Sequence, residues 1–240
     1  MSDLVSDTAM VMAAGLGKRM RPLTATTPKP MVRVLGQPLI DRTLDRLAEA
    51  GIARAVVNVH YLAETIEAHL KDRAAPQILF SDERDELLET GGGLVKARDA
   101  GQLPDPVFAC NADSIWLDGP RNGFADLSQR WDPEIMDALL LVVPHARARN
   151  FDGTGDFYMD AQGKLKRKLP GRIAPFIYTG IQLLSHRLLR DAPEGKFSTN
   201  ILWDHAIEEG RLYGVAFTGE WFEVGTPAHI APTEEALRGG

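Results

Sequence analysis

The run Val11-Met12-Ala13-Ala14-Gly15-Leu16-Gly17-Lys18-Arg19-Met20-Arg21-Pro22-Leu23-Thr24, followed by Pro28-Lys29-Pro30, constrains this chain more than any other stretch. It begins as a short apolar run, so the backbone leaves a buried strand at Ala14. Gly15 and Gly17 then permit a tight turn whose backbone N–H groups approach an anion closely. Lys18, Arg19, Arg21 and Lys29 place four cations within fifteen residues of that turn. A strand, a glycine turn and clustered cations suit a nucleoside triphosphate better than a neutral ligand.

Two familiar phosphate loops do not fit. A P-loop needs Ser or Thr after its Gly-Lys pair to reach magnesium, and Arg19 follows Lys18 here. The dinucleotide fingerprint needs a third small residue where Met20 stands.

Strands and helices are expected to alternate through the first half. Strands fall at residues 8–13, 55–59, 78–80 and 107–110. Helices fall near 39–48, stopped by Gly51, then at 63–71 and 93–100. This order implies a mainly parallel sheet covered on both faces, with ligands at the carboxyl ends of the strands. The glycine turn and the Asn111-Ala112-Asp113 corner both fall there. The second half is less regular, with strands expected at 138–143, 155–159, 164–168, 176–184 and 212–217. A helix over 201–207 ends at Gly210, and a final helix is capped by Thr226 with Pro227 at its first position. No repeat or linker interrupts the chain, so residues 1–240 are expected to form one domain. Its nucleotide-binding half spans about 8–115 and its second, substrate-facing half about 116–240.

The 240 residues are 44% apolar and 25% charged, enough for one sizeable core. The net charge of −6 speaks against a nucleic-acid partner but not against a nucleotide, which needs only local cations. Cys110 is the single cysteine, so no intramolecular disulfide forms. The polar start over residues 1–8 is unlike a secretory or transit peptide, and no apolar stretch approaches a membrane span. A soluble, cytoplasmic protein without a membrane partner is expected, as a monomer or small homo-oligomer. The six histidines are scattered without metal spacing, and Cys110 lies inside an apolar strand, unsuited to be a nucleophile. Trp116, Trp131, Trp203 and Trp221 are expected in the core or as pocket walls.

Asp113 directly follows the apolar run at 107–110. Asp there either starts a turn or ligates a hard divalent cation, which prefers carboxylate oxygen. The glycines at 91–93 either form a hinge or clear side chains from a surface on which a flat base rests.

The Gly-rich turn continuing into Arg-x-Pro-Leu-Thr and Pro-Lys-Pro resembles the fingerprint of the sugar-1-phosphate nucleotidyltransferases. The resemblance runs from Met10 to about Leu237. It implies a Rossmann-like, glycosyltransferase-A-like α/β fold without a C-terminal β-helix. It also implies transfer of a nucleotidyl group from an NTP to a sugar 1-phosphate with Mg²⁺. Arg19 and Lys29 are then the catalytic cations. Ala13, Ala14, Gly15, Gly17 and Lys18 hold the nucleotide, with Glu89, Gly91 and Gly92 from Leu88-Glu89-Thr90-Gly91-Gly92-Gly93 at the base. Asn111-Ala112-Asp113 stands at the family's metal-binding corner, with Ala at a position usually held by Gly. Trp221-Phe222-Glu223-Val224-Gly225-Thr226 stands at its second metal element, with Glu223 in place of Asp. Asn111, Gly155, Asp156, Thr179 and Gly180 are implied around the sugar phosphate.

Within that family the 88–93 wording, with Gly155-Asp156-Phe157 and Thr179-Gly180-Ile181, resembles the uridylyltransferases of peptidoglycan recycling. Those enzymes act on N-acetylmuramate 1-phosphate, which favours UTP. A mannose- or heptose-1-phosphate guanylyltransferase is the alternative. A catalytically inactive regulatory subunit is an alternative of another class, supported by Glu223 and by the missing Glu-Lys-Pro element. In that element's place stand five cations among residues 164–172, read as a solvated hairpin unless Lys164, Lys166 or Lys168 turns to the sugar phosphate.

Overall fold

Short apolar runs and amphipathic runs at helical period alternate as expected from the amino end. In this computed structural model, which describes residues 4–239, β1 (Thr8–Met12) leads into the glycine turn and a small hairpin of β2 (Arg33–Val34) and β3 (Gln37–Pro38). Residues 1–3 of the polar start, and Gly240, lie outside the described residues. Helix α1 (Leu39–Ala50) buries Leu39, Ile40, Leu44 and Leu47 along one stripe and stops at Gly51 with φ 92°. Then come β4 (Arg54–Val59), α2 (Ala63–Leu70), β5 (Gln77–Asp82), α3 (Glu89–Asp99) and β6 (Val107–Asn111). The second half adds β7 (Ser114–Leu117), α4 (Gly123–Arg130), β8 (Ala138–Pro144), β9 (Ala148–Arg149), β10 (Phe157–Met159) and β11 (Leu165–Arg167). It closes with β12 (Phe176–Leu184), α5 (Thr199–Glu208), β13 (Leu212–Ala216), β14 (Glu220–Glu223) and α6 (Ile230–Gly239).

Strands β5, β4, β1 and β6 run parallel in that order, and β12 then joins β6 antiparallel. Strand β8 lies on the other edge of β12, followed by β13, while β10 and β11 extend from the start of β12. The sheet is therefore parallel in the nucleotide half and mixed beyond it, because β12 reverses the direction. Side chains alternate across it. Ala9 and Val11 face one core with α1, α2 and α4, and Met10 faces the other with α3 and α5. A second sheet of β7, β14 and β9 packs beside the first.

Four local expectations differ from the structure. The first strand ends at Met12 rather than Ala13. Helix α3 starts at Glu89, so Gly91, Gly92 and Gly93 lie inside its buried first turns instead of preceding it. Strands β7, β9 and β14, the β2–β3 hairpin and α4 were not anticipated. The last helix begins at Ile230 after a 3₁₀ turn over Pro227–His229, and the Thr226 side chain makes no capping hydrogen bond. Proline does stand at the first position of that turn.

Candidate active site

The glycine turn is held from below by Asn58, a polar residue buried in the apolar β4. Its Oδ1 accepts the backbone N–H of Ala13 at 2.6 Å and of Ala14 at 3.3 Å. Its amide donates to Glu83 Oε1 at 2.7 Å, and the Leu88 N–H donates to Glu83 Oε2 at 3.2 Å. Glu83 is fully buried, and burial pushes its carboxyl above the usual carboxylate range. A buried chain of hydrogen bonds thus ties the turn after β1 to the start of α3. Sequence reasoning missed both residues, although an Asn in Val56-Val57-Asn58-Val59 was a visible signal, since a polar group buried in a strand needs partners.

Gly17 adopts φ 59°, and a Cβ there would lie 2.9 Å from Lys29 Cβ and 3.0 Å from Thr24 Cγ2. Thr24 Oγ1 closes the loop by donating to the Gly17 carbonyl at 2.8 Å. The glycine, Pro-Leu-Thr and Pro-Lys-Pro pieces therefore pack on one another, and the packing delivers Lys29. Lys29 Nζ meets Asp113 Oδ2 at 2.6 Å, with the lysine side chain mostly buried.

The second carboxylate arrives through sheet register. Antiparallel pairing of β14 with β7 sets Glu223 opposite Ser114, the residue after Asp113. Glu223 Oε1 lies 3.3 Å from Arg19 Nη1. Two cations from the first loop thus meet two carboxylates from the ends of β6 and β14. No cluster of three or more His, Cys, Asp or Glu able to hold a metal occurs among the described residues. Two carboxylates still fit a magnesium ion, which commonly takes one or two together with substrate phosphates.

Three cavities meet at this point. The first, about 430 Å³, is lined by Ala13, Gly15, Gly17, Lys18, Arg19 and Lys29, with Glu89, Lys196 and Asp113 at its rim. Lys196 Nζ lies 3.5 Å from Glu89 Oε1, an ion pair the sequence did not suggest. Glu89 takes φ 60°, a conformation uncommon for a side-chain-bearing residue and often found at functional sites. The second cavity, about 190 Å³, collects Arg19, Lys29, Asn111, Asp113, Asp156 and Glu223. Thr179 and Gly180 also line it, at the bulge in β12. The Thr179 side chain turns inward to the Leu141 carbonyl at 2.8 Å, while its own carbonyl accepts from Ser114 and Trp221. The third, about 290 Å³, opens beyond Asn111, Asp156 and Tyr178 and ends against Arg167 and Trp203. Asp156 Oδ2 accepts the Tyr178 N–H at 2.9 Å, and burial pushes the Tyr178 phenol well up.

Gly91, Gly92 and Gly155 are not brought into these cavities. A Cβ on Gly91 would stand 2.2 Å from the Phe197 ring, and one on Gly92 would stand 2.3 Å from the Gly195 carbonyl. The N–H groups of both donate to the Phe197 carbonyl. The glycines let α3 approach the segment before α5, so no bare surface is left for a base. Ala14 is buried and contributes through its N–H to Asn58. In the cationic hairpin no lysine faces a cavity: Lys168 bonds Thr154 Oγ1, Lys164 lies over the Tyr213 ring, and Arg167 is the residue that turns inward. Trp116, Trp203 and Trp221 are buried, and burial pushes the Cys110 thiol up to about 12, so it is inert.

The profile of the nucleotidyl transferases matches residues 8–163. The chain belongs to the nucleotidyl transferase family. It is 45% identical to an N-acetylmuramate alpha-1-phosphate uridylyltransferase of Caulobacter vibrioides, over 95% of this chain and 96% of that one. It is 32% identical to the Neisseria meningitidis protein of the same name, over 96% and 98% of the two chains. Among solved structures, HddC from Yersinia pseudotuberculosis complexed with GMP-PN superposes with a TM-score of 0.76. That match covers 96% of this chain and 99% of the other at 21% identity, which shows the shared fold. As a nucleotidyltransferase the protein transfers a nucleotidyl group, and members of its family generally use a divalent metal. No helix among the described residues is long and apolar enough to cross a membrane.

Proposed function

We propose that this nucleotidyltransferase moves UMP from UTP to N-acetylmuramate 1-phosphate, giving UDP-N-acetylmuramate and pyrophosphate in cytoplasmic peptidoglycan recycling. The observation that carries this is the 45% identity to the Caulobacter uridylyltransferase along nearly both whole chains. An oxygen of the acceptor phosphate attacks the α-phosphorus, a P–O bond forms, and the bond to the β-phosphate bridge breaks to release pyrophosphate. That oxygen is anionic at neutral pH, so no general base is required, and neither His nor Cys is needed.

Lys29 stands where negative charge redistributes around the α-phosphorus, and Arg19 neutralises the triphosphate. Lys18 and the N–H groups of the glycine turn cradle the phosphates, with Glu89 at the far rim. Asn111 and Asp156 sit where the acceptor enters, beside Thr179 and Gly180. Asp113 and Glu223 would hold Mg²⁺, whose charge would offset that of the two polyanions. The test is kcat/KM for four NTPs against a panel of sugar 1-phosphates, followed by pyrophosphate release. UTP with N-acetylmuramate 1-phosphate should lead by about 100-fold or more, within the range that hydrogen-bonding pockets reach. A preference for GTP with mannose 1-phosphate overturns the substrate pair and leaves the reaction class intact.

A further inference from the structure

The cavity beyond Asn111 and Asp156 is lined by one carboxylate, Asp156, and one guanidinium, Arg167. Asp156 lines both this cavity and the one holding Asp113 and Glu223, so it marks the end near the reacting phosphates. Arg167 lines only the far cavity. Its guanidinium is fixed in place. Nε pairs with Asp204 Oδ1 at 2.6 Å, and Nη2 donates to the Asn200 carbonyl at 3.1 Å and to Asn200 Oδ1 at 3.0 Å. Its plane rests over the rings of Phe157 and Trp203, 5.0 and 5.6 Å from their centroids. Three hydrogen bonds occupy Nε and Nη2, whereas Nη1 has no partner among the described residues. Ser198 and Thr199, whose hydroxyls can hydrogen-bond an anion, line the same cavity.

We infer that Arg167 is a specificity-determining residue that reads a carboxylate on the acceptor sugar, selecting acid-bearing sugar 1-phosphates over their neutral counterparts. The inference rests on the proposed function in one respect: the acceptor named there carries a carboxylate, on its lactyl ether, and N-acetylglucosamine 1-phosphate is the same sugar without it. A guanidinium held rigid by stacking loses little freedom when an anion docks, and it offers charge-assisted hydrogen bonds. Asp156 repels an acid placed at the near end, so the two charges orient the acceptor as well as choosing it. A lysine cannot stack and fork in this way.

The experiment measures kcat/KM, and acceptor Kd by calorimetry, for N-acetylmuramate and N-acetylglucosamine 1-phosphates with wild-type enzyme, Arg167→Ala and Arg167→Lys. The expected result is that Arg167→Ala lowers the ratio of the two kcat/KM values about 100-fold, mostly through KM, and that Arg167→Lys recovers part of it. Parallel losses on both acceptors would assign Arg167 to structure and overturn the inference. So would a wild-type enzyme that uses both acceptors equally. A preference for a base other than uracil would defeat the proposed nucleotide and leave the Arg167 ratio to be read with the preferred NTP.

Discussion

Asn58→Asp is the sharpest probe of the buried chain beneath the glycine turn. The change is isosteric and keeps an oxygen for the Ala13 N–H, but it replaces the amide that donates to Glu83 Oε1 at 2.7 Å with a second carboxylate oxygen. Both residues are buried, so two anions at that distance cannot coexist and the pair keeps one shared proton. Glu83 is already raised by burial, and the shared proton raises the pair's upper titration further. In the unfolded chain both acids release their protons near pH 4. The folded state therefore binds about one more proton than the unfolded state, and stability falls as pH rises, by about 1.4 kcal/mol per pH unit while that proton is held. Wild type shows only the weaker dependence of Glu83 alone, which ends once pH passes its folded titration. Across pH 6–8 the variant should lose about 1.4 kcal/mol more than wild type for each pH unit over which the pair holds that proton and Glu83 alone does not, or roughly 3–6 °C in Tm per unit for a chain of this size. Thermal melts of both proteins across that range provide the assay. Parallel Tm curves would refute the arrangement, because they would mean Asn58 and Glu83 are not in contact within a buried network.

Asp113→Asn should keep the fold, read as an unchanged melt, and lose most turnover at saturating magnesium, whereas Glu223→Gln should lose less; near-normal turnover of Asp113→Asn would remove that corner from the site. Lys29→Ala should depress kcat more than it raises KM, since its charge matters most as negative charge redistributes around phosphorus, and a change in KM alone would point to uniform binding. Gly91→Ala should cost about 1–3 kcal/mol by driving a methyl into the Phe197 ring, with partial rescue of Tm by Phe197→Leu; a stable Gly91→Ala enzyme with weakened UTP binding would instead restore a base-contacting role.

The parts of the fold that were legible in the sequence are those written in local pattern. The continuous apolar runs of β1, β4 and β6 and the stripe Leu39, Ile40, Leu44, Leu47 fix their own element types. Strands β7, β14 and β9 are short, and β14 pairs with strands that lie far back along the chain, which no local window contains. Helix α4 did carry a signal, Asn122 accepting the N–H groups of Phe124 and Ala125, but eight residues give too few periods to stand out. The triplet at 91–93 misled because successive glycines usually mark loops. Here the need for close approach to Phe197 and Gly195 outweighs their poor helix propensity. In the site, the cations and Asp113 were named from motif alone. Arg167 hid inside a charge run whose other members face away, and only the β10–β11 pairing separates it from them.

The pairing of β7 with β14 also bears on how the enzyme is made. The cationic loop is synthesised early, directly after the first strand, whereas Glu223, the partner of Arg19, follows 204 residues later on β14. A growing polypeptide therefore displays its cationic loop long before the opposing carboxylate exists. During that interval Arg19 has no Glu223 to meet, while Lys29 meets its carboxylate, Asp113, from the middle of the chain. Docking of β14 is what brings Glu223 to Arg19 and opposite Ser114, so a chain cut short before β14 would lack the second carboxylate of the candidate site.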